Sequence, residues 1–262
     1  MLAADLQRPD SRMKSDSTSQ EWHSAVARLL SRCFTTNLPR MVERLNMVPL
    51  LPLKHGYWVT AKGRPFYLPE MQGIPIPPGV DFSVLDPAAV ANAERKQLFL
   101  HLGAREAQIA RVRASVLANY QSSDSQVDVV NSRAHLHFLY LTHEPNQDRG
   151  ELRQIYMHTH ITSVVGNPRD EDFYLLGDLR YGPEHLLQPT AEAPGLQVLF
   201  VNAAYLVDPP YLPAPSHPTW QAWLCGFVGV RERLRLVSPV GDSLSEAALM
   251  SLPTTRTSFS DF

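Results

Sequence analysis

Hydrophobic positions recur along this chain with two different periods, and the switch between them predicts its elements. Trp22, Val26, Leu29, Leu30 and Cys33 fall at helical spacing behind Ser19, a good N-cap, so a helix is expected over about 20–35. Asn37-Leu38-Pro39 breaks it. Val48 to Leu68 then reads as three short strands, rich in aromatic and branched residues, with turns at Lys54-His55-Gly56 and Lys62-Gly63. Ile74 to Gly79 is a stiff proline-rich connection, and Val80–Leu85 a further short strand. Asp86-Pro87 suits a helix start. The helix expected there carries Val90, Leu98, Leu100 and Leu102 and stops at Gly103. Ile109, Val112, Val116 and Leu117 mark another helix, from Arg105 to about Tyr120.

The second half repeats this alternation. A polar link over 121–130 leads to a helix ending at His135–Leu141. Ile155–Val165 and Phe173–Leu176 read as strands, Leu196–Val201 as another, and Trp220–Gly229 as an apolar helix. Residues 1–18 and 251–262 are polar, and they are expected to be disordered tails that bury little.

An internal echo supports a modular reading. Phe66-Tyr67-Leu68, Asp86-Pro87 and Gly103-Ala104-Arg105-Glu106 recur in order as Phe173-Tyr174-Leu175, Asp208-Pro209 and Gly229-Val230-Arg231-Glu232. Gly103 and Gly229 would each end a helix in the left-handed conformation that glycine adopts at little cost. The fold class expected is α+β: two related modules, residues 19–125 and 126–250, each a small antiparallel sheet with helices packed on one face.

Composition narrows the function. The chain has 262 residues, 44% apolar and 19% charged, with a formal charge of −2. That balance suits a folded protein and gives no basic surface for nucleic acid. No apolar run approaches the length of a membrane span, and the N-terminus lacks a secretory core. With only Cys33 and Cys225, both in helical patterns, buried thiols in a reducing, intracellular compartment (cytoplasmic or nuclear) are expected.

Candidate chemistry is sparse. His158 and His160 would share one face of a strand and could ligate zinc together, with His143 or Asp172 as a third ligand. That makes a zinc-dependent hydrolase the alternative function. The simpler account is ordinary strand histidines, and no metal or other cofactor is assigned. His135 and His137, on a helix, would diverge. No Gly-x-Ser-x-Gly turn is present. Cys33 beside Arg32, and the tryptophans at 22, 58, 220 and 223, read more simply as packing residues.

The string Met47-Val48-Pro49-Leu50-Leu51-Pro52-Leu53-Lys54-His55-Gly56-Tyr57-Trp58-Val59 resembles a motif of the sacsin and NO VEIN-like proteins, from their regions outside the Hsp90-like ATPase domain. Phe66-Tyr67-Leu68, Ile74-Pro75, Phe82–Asp86 and Phe99–Ala104 are similar to that family in order. The likeness covers about 20–120 well and 130–240 loosely. The chain shows no ATP-binding motif: Gly226-Phe227-Val228-Gly229 lacks the strand and helix that a nucleotide loop requires. The resemblance therefore implies a non-catalytic scaffold or chaperone-like piece that acts through protein partners or clients. The residues expected to carry its shape and contacts are Pro52, Gly56, Trp58, Tyr67, Gly103, Tyr174, Trp223 and Gly229.

Overall fold

A computed structural model describes residues 2–8, 10–15, 17–36, 38–121, 127–159, 165–169, 173–175, 198–210 and 217–231. The fold is α+β, with short helices and two-stranded sheets, and the chain divides into two compact units. Met1–Gln154 with Pro209–His217 forms the first; Ile155–Asp208 with Pro218–Phe262 forms the second.

The first unit opens with α1 (Leu2–Gln7), a 3-10 turn at Arg12–Lys14, α2 (Gln20–Thr35) and α3 (Pro39–Asn46). Ser19 caps α2 by accepting the Trp22 amide, as its sequence position predicts. The N-terminal stretch is not a tail without buried groups. Leu6 and Met13 belong to the hydrophobic core, and the Ser11 hydroxyl accepts the Met13 amide at 3.2 Å to hold that turn. Two well-placed apolar side chains outweigh the polar composition around them.

Strand β1 (Leu51–Pro52) pairs antiparallel with β2 (Trp58–Val59), and β3 (Glu70–Met71) with β4 (Ile74–Pro75). Prolines keep these strands short, because each removes a ladder donor. Pairing continues through single bridges. Leu53 meets Leu85 antiparallel, and Tyr67 lies parallel to both Val84 and Arg105.

The helix expected from Asp86 to Gly103 is two helices, α4 (Pro87–Val90) and α5 (Ala93–His101). Asn92 divides them: its side-chain oxygen accepts the Arg95 amide at 3.0 Å and so starts α5 afresh. Helix α6 (Ile109–Ala118) follows. Then come α7 (Val129–Leu141), capped by Asp128, and α8 (Pro145–Glu151).

Within the first unit, α7 and α8 are tied to α6. Arg113 of α6 is buried. It donates to the Thr142 carbonyl at 2.8 Å, to Glu151 at 3.0 Å and to Asp148.

In the second unit, β5 (Met157–His158) pairs antiparallel with β6 (Val165–Gly166), and β7 (Phe173–Leu175) pairs parallel with β8 (Val198–Phe200). A 3-10 turn at Ala203–Leu206 follows. Helix α9 (Trp220–Trp223) continues through wider π-type turns over Leu224–Val228. Trp220 and Trp223 stack with ring centroids 5.4 Å apart, and the Trp220 indole donates to the Tyr205 carbonyl at 2.7 Å.

The echo recurs in local geometry at a different residue. After the Leu53–Leu85 bridge, the Asp86 amide donates to the Pro52 carbonyl at 3.0 Å; after the Thr159–Val201 bridge, the Asn202 amide donates to the His158 carbonyl, also at 3.0 Å. Asp86 then caps α4, and Asn202 caps the 3-10 turn. Asp86 and Asn202 thus sit in similar local geometry. Gly103 and Gly229, at φ +94° and +105°, are left-handed as expected.

Candidate functional site

Two helical stripes build the site. On α2, His23, Val26, Ala27 and Leu30 are buried at helical spacing; on α5 and its C-cap, so are Arg95, Leu98, Phe99 and Leu102. The helices run parallel. Asn92 donates to the Ser24 hydroxyl at 2.6 Å, Arg28 pairs with Glu94 at 3.2 Å, and the Phe34 ring stacks on His101 at 5.2 Å. Their first turns therefore come together, and each core-facing stripe begins there with a nitrogen-bearing side chain.

These side chains line a cleft of about 370 Å³ with Lys14, Lys54, Pro52, Gly56 and Trp58. Arg95 is 6% exposed and His23 5%. Arg95 Nε and His23 Nδ1 are buried without a hydrogen-bond partner. No carboxylate among the described residues pairs with Arg95. Its guanidinium carbon instead lies 5.9 Å from the Trp58 ring centroid and 5.8 Å from that of Phe99. Asp86, the acid of the cleft, has one oxygen committed to the Ala88 amide at 3.1 Å.

Burial is the main influence holding the pKa of Arg95 below its ordinary value, with Asp86 opposing it. Burial, then the neighbouring Arg95 charge, lowers that of His23. The imidazole is therefore the neutral partner and the guanidinium the permanent cation. An unpaired buried charge costs several kcal/mol, roughly, of which two aromatic faces return only about 1–2 kcal/mol each. An anionic group brought into the cleft would meet the Arg95 guanidinium and two lysines, with Asp86 opposing it.

A second polar cluster is closed. Asp148 is fully buried, one oxygen accepting from Arg113 and the other paired with His143 Nδ1. His217 packs edge-on against Tyr140 and His143. This network consumes its own charges and ties α6 to α8. His135 is likewise committed, with Nε2 at 2.7 Å from the Pro78 carbonyl and Nδ1 at 3.2 Å from the Tyr120 hydroxyl.

Of the residues singled out in the sequence, Pro52, Gly56 and Trp58 line the cleft. Tyr67 is buried in the neighbouring bridge, and Gly103 terminates α5. Trp223 is core, and Gly229 ends the turns that follow α9. Tyr174 lies in β7, with its side chain outside the described part. His158 is half-buried on β5, its amide 3.3 Å from the Tyr205 hydroxyl; His160 and Asp172 lie outside the described residues. Among the described residues no group of three or more His, Cys, Asp or Glu is placed to hold a metal. Cys33 and Cys225 are half-buried and not in disulfides, and no described helix is long and apolar enough to cross a membrane.

Sequence reading missed Arg95, His23 and Asn92. The signal was present: a charged or titratable residue at the head of an apolar i, i+3, i+4, i+7 stripe, and an Asn at capping distance from one of them. No family model, curated protein or solved structure matches the chain.

Proposed function

We propose that this protein is a non-catalytic binding module that works through protein contacts, and that the Arg95 cleft holds an acidic segment of its partner. The observation that carries this reading is the guanidinium of Arg95, nine-tenths buried, 5.9 Å and 5.8 Å from the Trp58 and Phe99 ring centroids and in no ion pair with a carboxylate among the described residues. The likeness of Met47–Val59 to the sacsin and NO VEIN-like proteins supports the same class of role, because Pro52, Gly56 and Trp58 of that string line the cleft. A binding site keeps an uncompensated charge that a purely structural core would discard. The overall charge of −2 disfavours nucleic acid as the partner. Two cysteines that form no disulfide suit an intracellular setting.

Selection from a random displayed-peptide library tests the reading. The wild-type chain is expected to enrich peptides containing Asp or Glu, and Arg95→Met to lose that enrichment. Peptides without acidic bias, or the same peptides selected by both proteins, would sink it.

A further inference from the structure

The first unit carries a second basic cleft, of about 490 Å³, lined by Arg64, Tyr67, Asp81, Ser83, Arg111 and Ser115 among others. At its edge the Tyr67 hydroxyl accepts from two guanidiniums, Arg105 at 3.5 Å and Arg111 at 3.4 Å. The Arg105 guanidinium also lies over the Tyr67 ring, 5.5 Å from its centroid. We propose that Arg105 and Arg111, which converge on the Tyr67 hydroxyl, form with Arg64 of the same cleft a site for the dianion of a phosphate monoester.

Three features favour that ligand. First, Arg105 and Arg111 converge on one neutral oxygen, and none of the three arginines pairs with a carboxylate among the described residues. Like charges gathered this way repel one another, and a doubly charged ligand relieves that better than a single carboxylate. Second, Tyr67 is fixed. It is 4% exposed, its ring meets Phe82 edge-on at 4.9 Å, and its backbone is bridged to Val84 and Arg105. The oxygen that gathers the guanidiniums is therefore preorganised. Its lone pairs receive the two arginines, which leaves its own proton as a further donor. Third, guanidinium forks match the several oxygens of a phosphoryl group. Asp81 is the acid of the cleft; its backbone amide donates to the Ser115 hydroxyl at 3.3 Å, which orients that loop.

Calorimetric titration of the full chain at fixed ionic strength tests this, with inorganic phosphate in one arm and a phosphoserine peptide in the other. Binding is expected in at least one arm and should weaken tenfold or more in Arg111→Ala and Arg105→Ala. Arg64→Ala should weaken it too; this exposed side chain makes no hydrogen bond that the fold needs, so the variant guards against misfolding in the others. Arg95→Met should leave it unchanged, which separates this site from the first cleft. Peptide affinity should also rise from pH 5 to 7.5, as the second phosphate proton leaves near pH 6, roughly. Binding in the peptide arm alone would make the ligand a phosphorylated protein; comparable binding in both would make it a small phosphate ester. Absence of binding in both arms, or binding indifferent to all three arginine substitutions, would overturn the proposal.

Discussion

Arg95 and Trp58 meet as cation and ring, with the guanidinium carbon 5.9 Å from the indole centroid. One residue heads the buried stripe of α5 and the other begins β2, so the contact joins helix and hairpin across the cleft. A double-mutant cycle between Arg95→Met and Trp58→Leu should return a coupling of about 0.5–2 kcal/mol in denaturant unfolding. Strict additivity would show that the ring does not hold the charge.

Asn92 sets the position of Arg95. Its side chain accepts the Arg95 amide and donates to Ser24, so it both starts α5 and ties it to α2. Asn92→Ala is expected to cost about 1–2 kcal/mol of stability and to weaken binding of an acidic peptide. Unchanged binding in a correctly folded Asn92→Ala protein would mean that the cap does not position the guanidinium.

Acid should destabilise the fold through histidines. Burial is the leading cause of a lowered pKa at His23, His135 and His217; the Arg95 charge adds to it at His23 and His143 at His217, while Pro78 and Asp128 oppose it at His135. Each folded-state value lies below the unfolded one. The stabilisation is therefore complete above about pH 6.5, where the unfolded imidazole is neutral, and declines as pH falls toward the folded values. Unfolding free energies should drop from pH 7.5 to pH 5.5, with a shallower drop in His135→Gln. A flat or rising profile over that interval would contradict the assignment.

The Arg113–Asp148–His143 network is structural on this account. Asp148→Ala leaves Arg113 buried without its main partner and should cost about 3–5 kcal/mol. The paired replacement Arg113→Met with Asp148→Leu should cost much less, because it removes both buried charges together. Equal losses in the single and double variants, measured by denaturant melts, would refute this.

Gly103 and Gly229 differ in what an added methyl group meets. Both have positive φ, but the space around Gly103 is open, whereas a Cβ at Gly229 would come 2.5 Å from Arg169 Cγ. Gly103→Ala should cost about 1–2 kcal/mol from backbone strain alone, and Gly229→Ala more, because the Arg169 side chain must also move. Chemical denaturation of the two variants side by side checks the order.

Local signals were legible where one residue decides the backbone. Ser19, Asp86-Pro87, Gly103 and Gly229 announced their caps, and the α2 stripe announced its helix. Non-local consequences were not. The buried N-terminal turn depends on Leu6 and Met13 finding a core that their own segment does not supply. The tie between α6 and α8 depends on Arg113 reaching Asp148, a pairing between residues far apart in sequence. The local likeness of Asp86 and Asn202 rests on backbone hydrogen bonds that strings of residues do not display. The cleft was half legible: Pro52, Gly56 and Trp58 stood out, while Arg95 carried only the weaker signal of a charge heading an apolar stripe.

Arg95→Met tests the central claim most directly, with thermal stability and binding of a selected acidic peptide measured on the same sample. The account predicts stability equal to or above that of the wild type, since an unmatched buried charge is replaced by an apolar side chain of similar length, together with at least a tenfold loss of peptide affinity. A marked loss of stability with affinity unchanged would contradict it, and would make Arg95 a structural residue.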